Sequence, residues 1–176
     1  MNPRSLDPSN PPDEALIERA NRGEPDAFEA LFRRYRDWVV SVAYRYTGDR
    51  DEALDVMQDT FAYLFAKFPG FSLTARLTTF LYPVVKNLCL DRLRKRRPSV
   101  DIDELADVLP APEVGASNAD LHRLVQTLPA AQREVLLLRF VDDLSLQQIA
   151  EVLEVPLGTV KSRLHNGLEA MRKRKT

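Results

Sequence analysis

The spacing of the apolar residues constrains the fold of this chain more than any other feature. From residue 25 onward, apolar side chains recur every three or four positions, which is the period of an α-helix with one buried face. Between residues 25 and 46 this stripe consists of Phe28, Leu31, Phe32, Tyr35, Trp38, Val39, Val42 and Tyr46. No segment alternates with period two over a useful length. The pattern therefore predicts an all-α protein.

Turn and cap residues divide the first half of the chain into helices. Asp13 is predicted to cap a short helix that ends at Gly23. Pro25 is expected in the first turn of a second helix, which Gly48 stops. Asp49 then caps a third helix, expected to end at Pro69-Gly70, and a loop rich in Ser and Thr leads into a fourth.

Two proline-rich segments set the domain boundaries. Residues 1–12 contain four prolines and predict an irregular tail. Residues 98–120 contain six acidic residues and no lysine or arginine, and are interpreted as a flexible acidic linker. The chain is therefore predicted to form two small helical domains, at 13–97 and 121–176. Helical patterns in the second lie at 121–128, at 130–140 and in a pair that starts at Ser145.

Composition argues against several classes of protein. Cys89 is the only cysteine, and it falls on an apolar stripe, so it is interpreted as a core thiol without disulfide or zinc. With only His122 and His165 and no glycine loop for phosphates, neither an enzyme nor a metal or cofactor site is expected. The N-terminus has no signal peptide, and no apolar run approaches the roughly 18 residues of a membrane span. A soluble, cytoplasmic protein is expected.

The last two helical patterns predict a helix-turn-helix. Ser145 and Gln148 have the spacing of a capping box, Glu154-Val155-Pro156 forms the turn, and Thr159 is predicted to cap a second helix from Val160. Such a second helix enters the DNA major groove. On its polar face, the predicted base readers are Lys161, Ser162, His165 and Asn166; the predicted phosphate contacts are Arg163 and the tail from Arg172 to Lys175. A merely solvated face is the alternative.

Three segments carry a family resemblance: DVMQDTFAYLFAKF, TTFLYPVVKNLCLDRLRKRR and LPAAQREVLLLRFVDDLSLQQIAEVLEVPLGTVKSRLHNGLEAMRK. In this order, with the acidic linker between the halves, they resemble the extracytoplasmic-function (ECF) sigma factors of bacterial RNA polymerase. The resemblance covers residues 25–97 and 121–174. It implies a transcription initiation factor with a region 2 domain, a region 4 domain and no catalytic residues.

The resemblance implies three contact surfaces. Region 2 would dock on the clamp coiled coil of the largest subunit of core RNA polymerase through Asp55, Gln58 and Asp59. It would also melt and capture the minus-ten promoter element, with a flipped base held in a pocket. The residues implied for the minus-ten element are Phe71, Ser72, Arg76, Thr79, Phe80, Tyr82, Lys86, Asn87, Arg92, Arg94, Arg96 and Arg97. Region 4 would read the minus-thirty-five element through Ser145 and Thr159 together with the polar and basic side chains of the second helix. An anti-sigma factor is a further implied partner.

The sequence departs from the family pattern at three positions. Phe80 stands where tryptophan is usual, which keeps an aromatic wall without an indole N–H. Pro83 predicts that the fourth helix begins near Thr79 or kinks there, because proline suits only the first turn. Glu154 replaces a common glycine and predicts a turn without positive φ.

Two other functions compete with this reading. A sigma-like interaction protein would titrate an anti-sigma factor without binding promoters, a role that needs no basic recognition helix. A free-standing two-domain activator would bind duplex DNA without polymerase. Six basic residues between Lys86 and Arg97, against one acidic residue, favour a polyanion partner over the first alternative.

Overall fold

The computed structural model describes residues 11–96, 125 and 127–175, and the side chains among them up to residue 173. The described chain forms helices and connecting turns, which confirms the all-α prediction. The predicted linker 98–120 and most of the tail 1–12 lie outside the described residues, as do residues 121–124 and 126 of the helix predicted at 121–128; residues 127 and 128 of that prediction form a turn and a bend instead of a helix. The helices are α1 (Asp13–Asn21), α2 (Pro25–Thr47), α3 (Arg50–Phe65), α4 (Leu77–Arg96), α5 (Ala130–Phe140), α6 (Leu146–Val152) and α7 (Leu157–Lys175).

The ends of α2 and the start of α3 follow the sequence signals. Pro25 occupies the first turn of α2, and Gly48 ends that helix in the left-handed conformation at φ 65°, donating its N–H to the carbonyl of Tyr44. The Asp49 carboxylate accepts hydrogen bonds from the N–H groups of Asp51 and Glu52. These three predictions are confirmed, and together they fix the angle between α2 and α3.

The predicted cap of α1 is wrong. Pro12 occupies the N-cap position, and Asp13 is the first residue inside the helix. The Asp13 carboxylate instead reaches α2, where it lies 2.5 Å from the Arg34 guanidinium and accepts a hydrogen bond from the Tyr35 hydroxyl. Asp13 therefore ties α1 to α2 rather than closing the end of its own helix.

The bounds of α3 and α4 also differ from the predictions. α3 ends at Phe65, four residues before Pro69, and α4 begins at Leu77 rather than near Thr79. Leu77 is fully buried, and this burial anchors a first turn ahead of the predicted start. Pro83 consequently lies inside α4 rather than in its first turn, where it cannot donate the usual N–H to the preceding turn.

The first unit is a helical bundle around α2. α2 packs against α1, α3 and α4, and the apolar stripe read from the sequence supplies its core. Leu31, Val39 and Val42 are fully buried, as are Leu64 of α3 and Leu81 of α4. Buried apolar area of this kind provides the main stabilisation of a small bundle.

The second unit confirms the bounds of α5 and the capping box of α6. Ser145 accepts from the Gln148 N–H at 3.2 Å, and the Gln148 side chain accepts from the Ser145 N–H at 2.9 Å. α7, however, begins at Leu157, so Thr159 lies in its first turn and is not a cap. Glu154 adopts φ 53°, which contradicts the prediction of a turn without positive φ. The packing of α6 on α7 holds this residue in the conformation that glycine usually supplies.

Gly167 allows α7 to approach α5 closely. It is buried, and a Cβ atom at this position would lie 2.9 Å from Cδ1 and 3.5 Å from Cγ of Leu136, which is itself buried. Gly158 has no atom within 4 Å of the corresponding position. The absent side chain at residue 167 therefore sets the distance between the two helices and the orientation of the exposed face of α7.

We expect Gly167→Leu to destabilise the second unit. The larger side chain must displace Leu136 or separate the helices, and overpacking of this kind costs about 1–3 kcal/mol. Thermal unfolding followed by circular dichroism should show a lower Tm for Gly167→Leu. Gly158→Leu is the matched control and should unfold near the wild-type temperature; equal Tm values for the two variants would contradict this role of Gly167.

Candidate nucleic-acid interface

The helix-turn-helix presents the predicted base readers to solvent. α6 and α7 are joined by a turn in which the Val155 N–H donates to the carbonyl of Ala150 at 3.1 Å, and Val160 is fully buried between the helices. On the opposite side of α7, the exposed side chains are Lys161, Ser162, His165 and Asn166. All four predicted readers thus share one exposed face in the N-terminal half of the helix.

The other predicted minus-thirty-five contacts are placed less uniformly. Ser145 is exposed, but its hydroxyl is engaged in the capping box. Thr159 and Arg163 are half-buried, and the Thr159 carbonyl accepts from the Ser162 hydroxyl at 3.0 Å. Arg172 is largely exposed and lies 3.1 Å from Glu169 one turn away. Exposed ion pairs of this type contribute little stability, so Arg172 can exchange its partner.

The loop before α4 is held by Asn21 at the end of α1. The Asn21 amide oxygen accepts from the N–H groups of Gly70 and Phe71 at 2.7 and 3.1 Å, and its amide nitrogen donates to the carbonyl of Phe71 at 2.8 Å. One side chain therefore satisfies three backbone groups that are not hydrogen-bonded within a helix. This role of Asn21 was not predicted from the sequence.

An aromatic cluster lies between this loop and α4. The rings of Phe71 and Phe80 are 4.9 Å apart in an edge-to-face arrangement, and Phe68 lies 5.3 Å from Phe71. Tyr63 of α3 stacks on Phe80 at 6.3 Å with its ring 44% exposed, and the Lys67 ammonium lies 4.3 Å from its centre. Tyr63 was also missed, although a tyrosine on the polar side of α3 is a recognisable sequence signal.

Phe80 of this cluster lines a groove of about 370 Å³. Its lining brings together four of the predicted minus-ten residues with their neighbours: Ser72, Leu73, Thr74, Ala75, Arg76, Thr79, Phe80 and Glu151. The Thr79 hydroxyl is buried and has no hydrogen-bond partner among the described residues. Aromatic, hydroxyl and guanidinium groups on one groove are suited to stacking on and hydrogen bonding with an unpaired base.

Further along α4, the predicted minus-ten residues separate into exposed and covered ones. Asn87 is exposed. Tyr82 is buried, and its hydroxyl lies 2.8 Å from Oε1 of Glu134 in α5. The Lys86 ammonium lies 2.7 Å from the same oxygen. In this arrangement both residues contact the second unit: Tyr82 is covered, and Lys86 keeps 28% of its side chain exposed.

The basic end of α4 pairs with the acidic face of α3. Arg92 lies 3.3 Å from Asp55 and 2.7 Å from Asp59, so the predicted polymerase and DNA contacts share ion pairs. Arg96 lies 2.5 Å from Glu52, and Arg94 lies 2.7 Å from Asp91. Asp55, Gln58 and Asp59 remain exposed, and Arg97 lies outside the described residues. The acidic partners of these bases were not predicted from the sequence.

A buried ion pair joins the two units. Arg45 of α2 and Asp142 after α5 are 2.7 Å apart, with only 4% and 2% of their side chains exposed. The Asp142 carboxylate also accepts from the indole N–H of Trp38 at 2.9 Å. Burial raises the pKa of Asp142, while the Arg45 guanidinium and the Trp38 N–H act in the opposite direction. A carboxylate desolvated to this extent is tolerated because both its oxygens are hydrogen-bonded.

Glu134 makes a second polar contact between the units. Besides Tyr82 and Lys86, the Tyr46 hydroxyl lies 2.9 Å from Oε1 of Glu134, and the two phenol oxygens are 2.7 Å apart. Burial raises the pKa of the Tyr46 and Tyr82 hydroxyls well above the ordinary value for tyrosine. Both hydroxyls therefore remain protonated and can donate hydrogen bonds. The sequence signal that could have revealed these contacts is Arg45, a charge at an apolar position of the α2 stripe.

Three further observations concern metal ligands, the single cysteine and helix length. The described residues contain no group of three or more metal-ligating side chains. Cys89 is buried, and burial raises the pKa of its thiol to about 12, as a core position requires. Across residues 11–96 and 127–175, every helix falls short of the length and apolarity needed to cross a bilayer.

Comparison with protein families assigns both units. Residues 31–99 match the model for Sigma-70 region 2, and residues 118–171 match the model for Sigma-70 region 4. The chain belongs to the ECF RNA polymerase sigma factors. It is therefore an alternative sigma factor for transcription initiation, a class of regulatory factors rather than catalytic enzymes.

Curated relatives and solved structures agree with this assignment. The chain is 33% identical to ECF RNA polymerase sigma factor SigW of Bacillus subtilis, with 89% of this chain and 93% of SigW aligned. It is 30% identical to the ECF sigma-E factor of Escherichia coli K12, over 90% and 92% of the two chains. Its fold matches CnrH in a complex with the cytosolic domain of CnrY, at a TM-score of 0.67 and 22% identity, covering 92% of this chain and 95% of CnrH. RpoE of Bartonella quintana, solved with the anti-sigma factor NepR, matches at 0.63 and 21%, covering 83% and 94%.

We expect Asn21→Ala to release the loop at residues 70–71 without unfolding the bundle. The substitution leaves the Gly70 and Phe71 N–H groups without their acceptor, and each such loss costs about 1 kcal/mol or more. Amide hydrogen exchange measured by NMR should show faster exchange at Gly70 and Phe71 and unchanged exchange in α3. Asn87→Ala, at an exposed amide, is the control; unchanged exchange at Gly70 and Phe71 in Asn21→Ala would show that Asn21 does not hold the loop.

Proposed function

We propose that this sigma factor binds core RNA polymerase through α3, captures the melted minus-ten element in the groove between its 70–76 loop and α4, and reads the minus-thirty-five element with α7. The observation that carries the proposal is the exposed polar face of α7. Lys161, Ser162, His165 and Asn166 all lie on it, opposite the buried Val160. A helix so placed after a capped α6 and a tight turn suits major-groove readout.

The minus-ten part of the proposal rests on the groove beside Phe71 and Phe80. Extruding a base costs a few kcal/mol of lost stacking, which a preformed aromatic and polar pocket can offset. Phe71 is positioned in advance by Asn21, and Thr79 contributes a buried hydroxyl without a partner among the described residues. Phe80 stacks on Tyr63 and supplies a rigid aromatic surface. The basic end of α4 would then follow the adjoining phosphates.

An anti-sigma factor is the second proposed partner. The solved structures with a similar fold include one sigma factor in a complex with an anti-sigma factor and one in a complex with the cytosolic domain of CnrY. The chain covers at least 94% of each of those sigma chains, so the same kind of partner is proposed for this protein. One protein can bind an anti-sigma factor and, when released from it, a promoter. A protein that only titrates an anti-sigma factor would support no transcription at all.

Upstream specificity is tested with holoenzyme assembled from bacterial core RNA polymerase. The holoenzyme selects bound fragments from a DNA library with randomised upstream and minus-ten elements, and the selected fragments are then transcribed in vitro. In Lys161→Ala and Asn166→Ala we expect relaxed preference at one or two upstream positions, with about 1–3 kcal/mol lost per contact. Arg33→Ala, an exposed change on α2, is the control. Failure of the wild-type holoenzyme to initiate on any selected fragment would contradict the promoter-binding function itself.

Polymerase docking is tested on the exposed face of α3. Because Asp55 and Asp59 both pair with Arg92, charge reversal would also repel Arg92, so the sharper variants are Asp55→Asn and Asp59→Asn. We expect the double variant to bind core polymerase at least tenfold more weakly in a fluorescence anisotropy titration, with an unchanged circular dichroism spectrum. Asp91→Asn also removes an acid that pairs with an arginine of α4, and should bind as wild type does. Equal loss in both cases would point to the general charge of this region instead of a docking face.

A further inference from the structure

The second unit covers part of the surface that is proposed to capture the minus-ten strand. Glu151 of α6 lines the same groove as Ser72, Thr79 and Phe80. Glu134 of α5 contacts Tyr82 and Lys86, and the Arg76 guanidinium lies 3.4 Å from the carbonyl of Asp143. The protein therefore directs its own carboxylates and a carbonyl at side chains that would otherwise meet bases and phosphates.

We propose that the contact between the two units is an autoinhibitory latch that closes the minus-ten surface in the isolated protein. The polar part of the latch is Asp142 held by Arg45 and Trp38, together with Glu134 held by Tyr46, Tyr82 and Lys86; α6 also packs against α4 beside it. This inference rests on the proposed function and adds a regulatory step to it. A promoter strand can enter the groove only after the second unit has moved away from α4.

The chemistry of the latch suits a contact that opens reversibly. Closing removes the charges of Arg45 and Asp142 from water, which offsets most of their mutual attraction, and opening returns both to water together. The Nη1 atom of Arg45 is also buried without a hydrogen-bond partner among the described residues, which further limits the gain on closing. Removing only one partner has a different effect. A lone buried charge is strongly unfavourable, so the variant protein escapes that state by opening.

The latch leaves the other proposed surfaces accessible. Asp55, Gln58 and Asp59 on α3 are exposed in the closed arrangement, and so are Lys161 and Asn166 on α7. Core polymerase can therefore contact α3 while the groove is still covered. The latch controls strand capture and leaves the first encounter with polymerase free.

The test measures the separation of the units in the full chain. Spin labels are placed at Asp37→Cys on α2 and Lys173→Cys on α7, both exposed, while buried Cys89 with its raised pKa stays unlabelled. Pulsed electron paramagnetic resonance should give one narrow distance distribution for the isolated protein. Asp142→Asn, Glu134→Gln and Trp38→Phe should broaden it and lengthen it. The matched controls Asp143→Asn and Glu151→Gln change neighbouring exposed acids and should keep the wild-type distribution.

A second measurement connects the latch to strand capture. The probe is a fluorescein-labelled single strand that carries the minus-ten sequence selected by the wild-type holoenzyme. If the groove is closed in nine of ten molecules, opening it should tighten binding by the isolated protein about tenfold, because affinity scales with the open fraction. Asp142→Asn should show this gain, and Asp143→Asn should not.

Two results would overturn the proposal. One is an unchanged distance distribution in all three latch variants. The other is a lengthened distribution with unchanged strand affinity, which would make the contact structural only. Failure of the proposed function is seen separately, because a wild-type holoenzyme that cannot initiate says nothing about the distances measured in the isolated protein.

Discussion

The buried ion pair between Arg45 and Asp142 determines how the two helical units are placed relative to each other. The two side chains are 4% and 2% exposed, and the indole N–H of Trp38 donates a further hydrogen bond to the same carboxylate. Buried charges are tolerated only when paired with good geometry, so this contact specifies one arrangement of the units even if it adds little net stability. Under the proposed function, the access of nucleic acid to α4 depends on that arrangement.

The acidic and basic groups of the proposed contact surfaces also pair with one another within the fold. Arg92 pairs with Asp55 and Asp59, and Lys86 pairs with Glu134. All of these pairs are at least partly accessible to water, and pairs of this kind contribute about 0–1 kcal/mol. They can therefore be exchanged for phosphates or for polymerase without unfolding the bundle. Much of the positive charge of α4 is therefore engaged by the protein's own carboxylates.

Local signals made much of the fold predictable. Pro25, Gly48 and Asp49 fixed helix ends correctly, and the Ser145 capping box identified the start of α6, because each acts through backbone groups only a few residues away. The predictions failed where a distant contact decided the outcome. Asp13 turns to Arg34 and Tyr35 instead of capping, Leu77 extends α4 by burial, and Glu154 is held at positive φ by the packing of α6 on α7.

The candidate site shows the same division. The exposed face of α7 follows from helical spacing, and the residues of the groove follow from the family resemblance. The covering of Tyr82 and Lys86 could not be predicted, because Glu134 is 52 and 48 residues away in the sequence and lies beyond the acidic segment 98–120. The spacing of apolar residues describes one helix at a time and carries no information on how two units contact each other.

Trp38 offers the most direct measurement of the central claim, because it is the only tryptophan and its indole N–H donates to Asp142 across the contact. The isolated protein should give one indole N–H signal in an NMR spectrum, and this proton should exchange with solvent orders of magnitude more slowly than that of free tryptophan. An indole proton that exchanges at the rate of free tryptophan, in a protein whose α2 amides remain protected, would show that the two units do not close on each other.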